Sequence, residues 1–441
     1  MKSTTRKLAS LFLTPLALGI ALLANHARAQ QTAPAPASAS ASAPLTVEER
    51  LSRLEAEVSA LRQENRQLRA QIGTSSTTTT TTAVAPASAP AVAPATPALV
   101  SVKPAASEQW ISVGGFIMAQ AEAGDQIDSR FNAGSSNDRI YLRRARIVLG
   151  GHFAENFDFK VSAEMGGALG GKTGMSGALA DGFISWTKLP ALNVTIGQFK
   201  SGFGYEFLYN DTATYAIEHA LVTDTLTLNR QIGAQASGAL LNSRLTYALG
   251  VFNGNATNTS ANDNNEFLYT ARLAAAPVKT KIPTLGWDAV WNIGVNAYRS
   301  NDATVTMPDG TPAPGFPGRG RRTGLGVDTQ LALGPCSLWF EYLTTEFAPA
   351  NPAFATNKVT ANGWYLLGEY TIVPKKWQAL VRYDTYNPNT DLPRLSTDAW
   401  TLGVNYLIKG DDLKLMLNYT TSTPANAARA NRVLLRVQTV F

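Results

Sequence analysis

From Glu108 to Phe441 apolar and polar residues alternate with a period of two, interrupted by short polar or glycine-containing breaks. The last stretch is the clearest. Val433, Leu435, Val437, Thr439 and Phe441 share one face, while Arg432, Leu434, Arg436 and Gln438 share the other. Trp400, Leu402, Val404, Tyr406 and Ile408 oppose Thr401, Gly403 and Asn405 in the same way. Successive side chains of a strand point to opposite faces, so these runs predict strands with one apolar and one wet side. Sixteen strands are expected, starting near 109, 139, 156, 178, 191, 230, 243, 266, 286, 321, 336, 362, 376, 397, 411 and 430. The breaks alternate in length. Phe153 to Glu155, Leu189-Pro190, Leu241-Asn242, Gly334-Pro335, Pro374-Lys375 and Gly410 are short, whereas Gly254 to Glu266, Asn301 to Gly320 and Phe347 to Ala361 are long and polar. An even strand number with connections sorted by side predicts an all-β fold, a 16-stranded antiparallel transmembrane β-barrel at residues 108–441. The short turns and both barrel ends then face the periplasm, and the final aromatic Phe441 resembles an outer-membrane assembly signal.

The pattern before the barrel is different. Val47, Leu51, Leu54, Val58, Leu61, Asn65, Leu68 and Ile72 recur at alternating steps of four and three, a heptad over 45–72. Its flanking positions pair Arg50 with Glu55, Glu57 with Arg62 and Glu64 with Arg69, as facing chains of a parallel coiled coil require. A lone helix of that length is marginal in water, so self-association is expected. Asn65 at a core position suits a dimer, and Arg50-Leu51-Ser52-Arg53-Leu54-Glu55 suits a trimer. Residues 30–44 (Ala, Pro, Ser) and 73–107 (Thr, Ala, Pro) read as linkers.

Residues 1–29 carry Lys2, Arg6 and Lys7, then the apolar run Leu8 to Ala24, then Ala27-Arg28-Ala29, the three parts of a secretory signal peptide. Export corrects the charge balance. Removing Lys2, Arg6, Lys7 and Arg28 from 38 bases leaves 34 against 32 acids, about +2 rather than the formal +6. So small an excess gives no nucleic-acid partner. One cysteine excludes a disulfide framework, and no metal or other cofactor is expected. Of the two remaining histidines, His219 has Glu218 beside it and Asp211 and Asp224 nearby, but adjacent loop residues seldom form a charge relay and no nucleophile motif is present. An enzyme is not expected.

By parity Arg144, Arg146, Lys160, Arg244, Arg272 and Arg382 point inward, with Asp158, Glu164, Glu341, Glu369 and Asp384. Arg143 has the opposite parity and should meet lipid or a neighbouring subunit, unless the register slips there. Ser201 to Asn229 is too long for a turn and too apolar for a solvated loop, with Phe203, Phe207, Leu208, Tyr215, Ile217, Leu221 and Leu226. Folded inward, it would narrow the pore and bring Lys200 to the bottleneck.

Specific segments resemble the phosphate-selective porin O/P family over roughly 109–441. They are Arg143-Arg144-Ala145-Arg146-Ile147 with Gly150, Ile196-Gly197-Gln198-Phe199-Lys200 continuing Gly202-Phe203-Gly204-Tyr205-Glu206, Asn229-Arg230-Gln231-Ile232-Gly233, and Gly250-Val251-Phe252-Asn253-Gly254. The resemblance implies a homotrimer of barrels in outer-membrane lipid, each a water-filled channel for phosphate and similar small anions. Members with sharp phosphate selectivity carry closely spaced arginines on a loop entering the pore. Here no arginine occurs between Gly254 and Arg272, and the nearest basic cluster is Arg319, Arg321 and Arg322 in another loop, which leaves phosphate specificity open. The expected constriction residues are Lys200, with Arg144 and Arg146 across from it and Arg230 where the loop returns to the wall. Lys160, Arg272, Arg319, Arg321, Arg322 and Arg382 would guide anions, and Glu341 and Glu369 would sit away from the narrowest point. Lys200 would be a wet lumen residue of little packing value. Two other readings are a general or sugar-type diffusion porin and an outer-membrane tether that touches the cell wall through the periplasmic coiled coil.

Overall fold

The structure is a computed structural model and describes residues 98–102, 109–125, 138–167, 177–303, 320–350, 358–425 and 427–441. By its contacts the chain divides into two units, Met1–Thr82 and Ala83–Phe441, and every described residue belongs to the second. The signal peptide, the coiled coil over 45–72 and Arg319 lie outside the described residues.

A short strand β1 (Ala98–Val102) precedes the wall of the barrel. The first eight wall strands are β2 (Trp110–Gly124), β3 (Arg139–Phe153), β4 (Phe157–Glu164), β5 (Ala178–Leu189), β6 (Leu192–Lys200), β7 (Arg230–Leu240), β8 (Leu245–Phe252) and β9 (Leu268–Ile282). The rest are β10 (Trp287–Asp302), β11 (Gly320–Leu333), β12 (Cys336–Pro349), β13 (Val359–Val373), β14 (Trp377–Asn387), β15 (Thr397–Leu407), β16 (Leu413–Thr423) and β17 (Ala430–Val440). Each wall strand pairs antiparallel with the next, and β17 pairs back with β2, for example Val437 with Ala119. This closes a 16-stranded barrel, and every observed strand begins within three residues of its expected start. β1 adds a seventeenth strand that the alternation did not reveal. It pairs with residues 111–114 of β2, the stretch of that edge that β17 does not reach.

Closure satisfies the backbone without an exposed edge, the condition for crossing lipid with strands. The side chains sort accordingly. Leu402, Leu417, Val433, Leu435 and Val437 are exposed outward, while Arg432, Arg436, Gln438, Asn405 and Asn418 are buried inward. Seven short turns, at 154–156, 190–191, 241–244, 283–286, 334–335, 374–376 and 408–412, lie at one end. Gly334 shows how tight they are: its φ is +55°, and a Cβ there would sit 2.4 Å from the Trp287 ring.

Two expectations fail at element ends. Arg244 is exposed in the turn before β8 rather than inside the barrel. Arg321 and Arg322 open β11 instead of lying in a loop.

A loop seated between an apolar and a charged wall

Residues 201–229 leave β6 and turn into the barrel, and most of them are buried. Sequence explains the entry. Gly204 has φ +88°, a left-handed conformation, and a Cβ on it would lie 2.6 Å from Thr227 Cγ2. Two short helices follow, α1 (Tyr205–Leu208) and α2 (Leu221–Leu226). Their apolar residues, with Phe203, pack on the inner faces of β10 to β14 against Tyr298, Trp339, Leu343, Tyr365, Leu380 and Tyr386. Trp339 is the centre of this seat. Tyr205, Tyr209 and Tyr215 meet its ring edge-on at centroid distances of 5.3, 4.6 and 5.2 Å.

Backbone groups of the loop find partners on the wall, as buried polar groups must. Gln438 Nε2 donates to Thr212 O at 2.7 Å, Lys414 Nζ to Thr214 O at 3.0 Å and Asn405 Nδ2 to Tyr215 O at 2.9 Å. Arg382 continues the series on β14, donating to Glu218 O at 2.8 Å and His219 O at 3.2 Å. Four successive strands, β17 back to β14, therefore each hold one step of the loop. The N–H groups of Tyr205 and Glu206 donate to the Glu341 carboxylate, the latter at 3.2 Å. Glu341, on β12, thus touches the constricting loop and does not lie away from it. Glu369, by contrast, accepts from Thr371 at 2.8 Å lower on β13.

The other side of the lumen is charged. Lys200 Nζ donates to Asp211 Oδ1 at 3.0 Å, and also to Phe207 O at 2.7 Å and Tyr209 O at 3.0 Å. An ammonium has three donors, and all three are used. Arg146 NH1 donates to Asp211 Oδ2 at 3.0 Å, Arg144 binds the same oxygen, and Arg146 also pairs with Glu164 at 3.0 Å. Lys200, Arg144 and Arg146 thus converge on one carboxylate rather than facing each other across the pore. Nor is Lys200 dispensable for packing, because it pins three acceptors of the loop. Burial pushes the Asp211 carboxyl up, but Arg144, Lys200 and Arg146 pull it down further, to a position well below the usual carboxylate range.

Arg230, where the loop returns, donates to Asp181 Oδ1 at 2.7 Å, and Lys160 approaches the same carboxylate at 3.2 Å. Arg272 forms a two-pronged pair with Asp328, at 2.6 and 2.9 Å, on the far wall, where Arg382 also binds Asp384 at 2.9 Å. At the outer rim Arg322 pairs with Asp302, and Arg321 lies 3.9 Å from Glu346.

Sequence reasoning missed several members. Arg143 faces inward, not toward lipid, donating to Glu218 at 2.9 and 2.8 Å. The reason is a register shift: Met118 pairs with Arg144 and Ala119 with Leu142, so Arg143 is the extra residue of a bulge. Arg436 joins it, reaching Gln120 at 2.7 Å and Glu218 at 3.2 Å. Its inward parity was readable in the last strand. Asp181 and the roles of Asp211 and Glu218 depend on contacts between distant residues, which no local pattern carries.

The wall from β2 to β7 with β17 thus gathers Arg143, Arg144, Arg146, Lys160, Lys200, Arg230 and Arg436 around Glu164, Asp181, Asp211 and Glu218. Across from it, Arg272 and Arg382 stand among Glu206, Asp328, Glu341 and Asp384.

The family described as phosphate-selective porin O and P matches residues 119–441. The chain belongs to that family. Its barrel is accordingly that of an outer-membrane porin. Solved structures share the fold at low identity. An anion-selective porin from Comamonas acidovorans aligns with TM-score 0.53 at 12% identity, covering 76% of this chain and 100% of its own. OmpT of Vibrio cholerae in its trimer form aligns with TM-score 0.52 at 11% identity over the same shares. OprB of Pseudomonas putida gives 0.50 at 13%, covering 75% of this chain and 94% of its own. No curated relative matches the chain.

Proposed function

We propose that this outer-membrane porin is a passive diffusion channel with a preference for small inorganic anions, phosphate among them. The observation that carries this reading is the excess of cations on one wall beside the inward loop: seven cations share Glu164, Asp181, Asp211 and Glu218, and Arg139 and Arg432 share Glu122 on the same strands. In a narrow, partly dehydrated passage such an excess attracts anions more strongly than the same charge on an open surface. The family's description and the anion-selective porin of the same fold support it. It makes the porin a channel and not an enzyme. The test is the zero-current potential of the full-length porin in a planar bilayer under a KCl gradient. An anion-side potential supports the reading, and a zero or cation-side potential refutes it.

A general diffusion porin is the second reading, favoured by the fact that each of those seven cations has a carboxylate partner. Such a channel would show ohmic conductance with a potential near zero. Sugar transport would add concentration-dependent block by a neutral sugar.

The roles proposed for single residues follow from the first reading. Arg144, Arg146, Lys200 and Arg230 set the potential at the constriction, and Lys160, Arg272 and Arg382 extend it along the lumen. Arg319, Arg321 and Arg322 act at the outer mouth. The chain is also proposed to be exported by residues 1–29 and to assemble as a homotrimer, as the trimer form of the Vibrio porin-fold protein does. Its segment 45–72 would form a periplasmic coiled coil able to touch the cell wall. As a peptide, 45–72 should sediment as an oligomer that Glu57→Lys with Glu64→Lys weakens. A monomer would remove the stalk from the assembly.

A further inference from the structure

The centre of the charged wall is already occupied by an anion, and that anion belongs to the chain. Arg144, Arg146 and Lys200 come from two separate strands, β3 and β6, and their nitrogens meet on the two oxygens of Asp211. Among the described residues Asp211 is the only carboxylate that pairs with Arg144 and with Lys200, and it is buried. Three cations held this close repel one another, so the cradle must contain an anion to be stable. A carboxylate fills it with one negative charge and two oxygens. A phosphate offers up to two charges and four oxygens.

We infer that Asp211 is a built-in competitor for an oxyanion site made by Arg144, Arg146 and Lys200, and that a small oxyanion engages these three cations by displacing it. The inference rests on the anion-channel reading above and names the site at which it operates. A tethered carboxylate competes at an effective concentration of about millimolar or more, so free phosphate far below that level leaves it in place. The porin then passes dilute oxyanions without trapping them. An empty cradle would hold them, because conduction needs binding strong enough to enter and weak enough to leave.

Removing the competitor's charge tests this. Asp211→Asn keeps the size and leaves an oxygen to accept from Lys200, but adds no negative charge. In bilayers at 0.1 M KCl, with inorganic phosphate as the probe, the concentration that half-blocks the chloride current should fall by about tenfold or more, the effective-concentration advantage the tether held. An unchanged or higher half-blocking concentration overturns the inference. Arg144→Gln in the otherwise natural chain gives a second reading that does not need the first variant to fold. Because Arg144 attracts Asp211 and phosphate alike, its loss weakens competitor and ligand together, and phosphate block should change by no more than about threefold. A larger loss means that phosphate binds Arg144 without having to displace Asp211, and it also overturns the inference. The two proposals fail separately: an anion-selective parent channel with no change in Asp211→Asn removes only the competitor, whereas a parent with no anion preference removes the channel reading itself.

Discussion

The two sides of the lumen hold the same loop by different physics. On β10 to β14 the loop is seated by aromatic and aliphatic packing around Trp339. On β3, β6 and β17 it is held by ion pairs at Asp211 and Glu218. Apolar packing is insensitive to salt and does not discriminate ions. Ion pairs in a passage fix the local potential but stabilise little once dehydration of both partners is counted. The seat should therefore set how wide the pore is, and the charged wall which ions prefer it.

The largest effect is expected from breaking the seat. Trp339→Ala removes the ring that three loop tyrosines meet, a loss of about 3–5 kcal/mol by analogy with other buried aromatics. The loop should leave its wall and single-channel conductance should rise several-fold, while the closed strand ladder keeps the barrel folded. Unchanged conductance would mean that the ion pairs alone hold the loop.

Lys200→Glu should come next. It places a carboxylate against Asp211 and leaves Phe207 O and Tyr209 O without their donor. Breaking a buried pair costs about 3–5 kcal/mol, so the variant should combine a cation-ward potential with noisy, enlarged conductance. A shift of potential at unaltered conductance would restore Lys200 to a purely electrostatic role.

The third effect is one of pH. The Asp211 carboxyl is depressed in the folded porin, so its stabilising contribution is complete above its unfolded pKa of about 3.9. It is lost only as pH falls through the lower folded value. Conductance at 1 M KCl should therefore stay flat from about pH 7 to pH 4. Loop release near pH 5–6 would show that Asp211 is not held down by its three cations.

The smallest effect belongs to the rim. Arg321 is about two-fifths exposed and lies 3.9 Å from Glu346. Arg321→Gln should move the zero-current potential slightly at 0.1 M salt and not at all near 1 M, where the Debye length falls to about 3 Å.

The contrast between the two sides also explains what was legible in the sequence. Strand starts, inward parity and the loop at 201–229 follow from local alternation, since the strand period fixes which face each residue takes. Even the basic segment Arg144-Ala145-Arg146 could be found that way. Arg143 could not, because one bulge reverses parity without leaving a mark in the pattern. The partners of Lys200 were hidden for a different reason. Asp211 is eleven residues away along the chain, and Arg144 more than fifty; only the folded loop brings them together. A loop residue's role is set by contacts that periodicity does not encode. The apolar residues of 201–229 announced that the loop would be buried, but not that Trp339 would receive it.

The division of labour is tested most directly by neutralising a wall cation whose partner is on the wall and not on the loop. Lys160 of β4 pairs with Asp181 of β5. The measurement is the zero-current potential of Lys160→Gln in a KCl gradient, with conductance at 1 M recorded alongside. The potential should move toward zero from the anion-side value proposed for the parent while the conductance stays the same. A potential equal to the parent's would contradict the claim that this wall sets the preference.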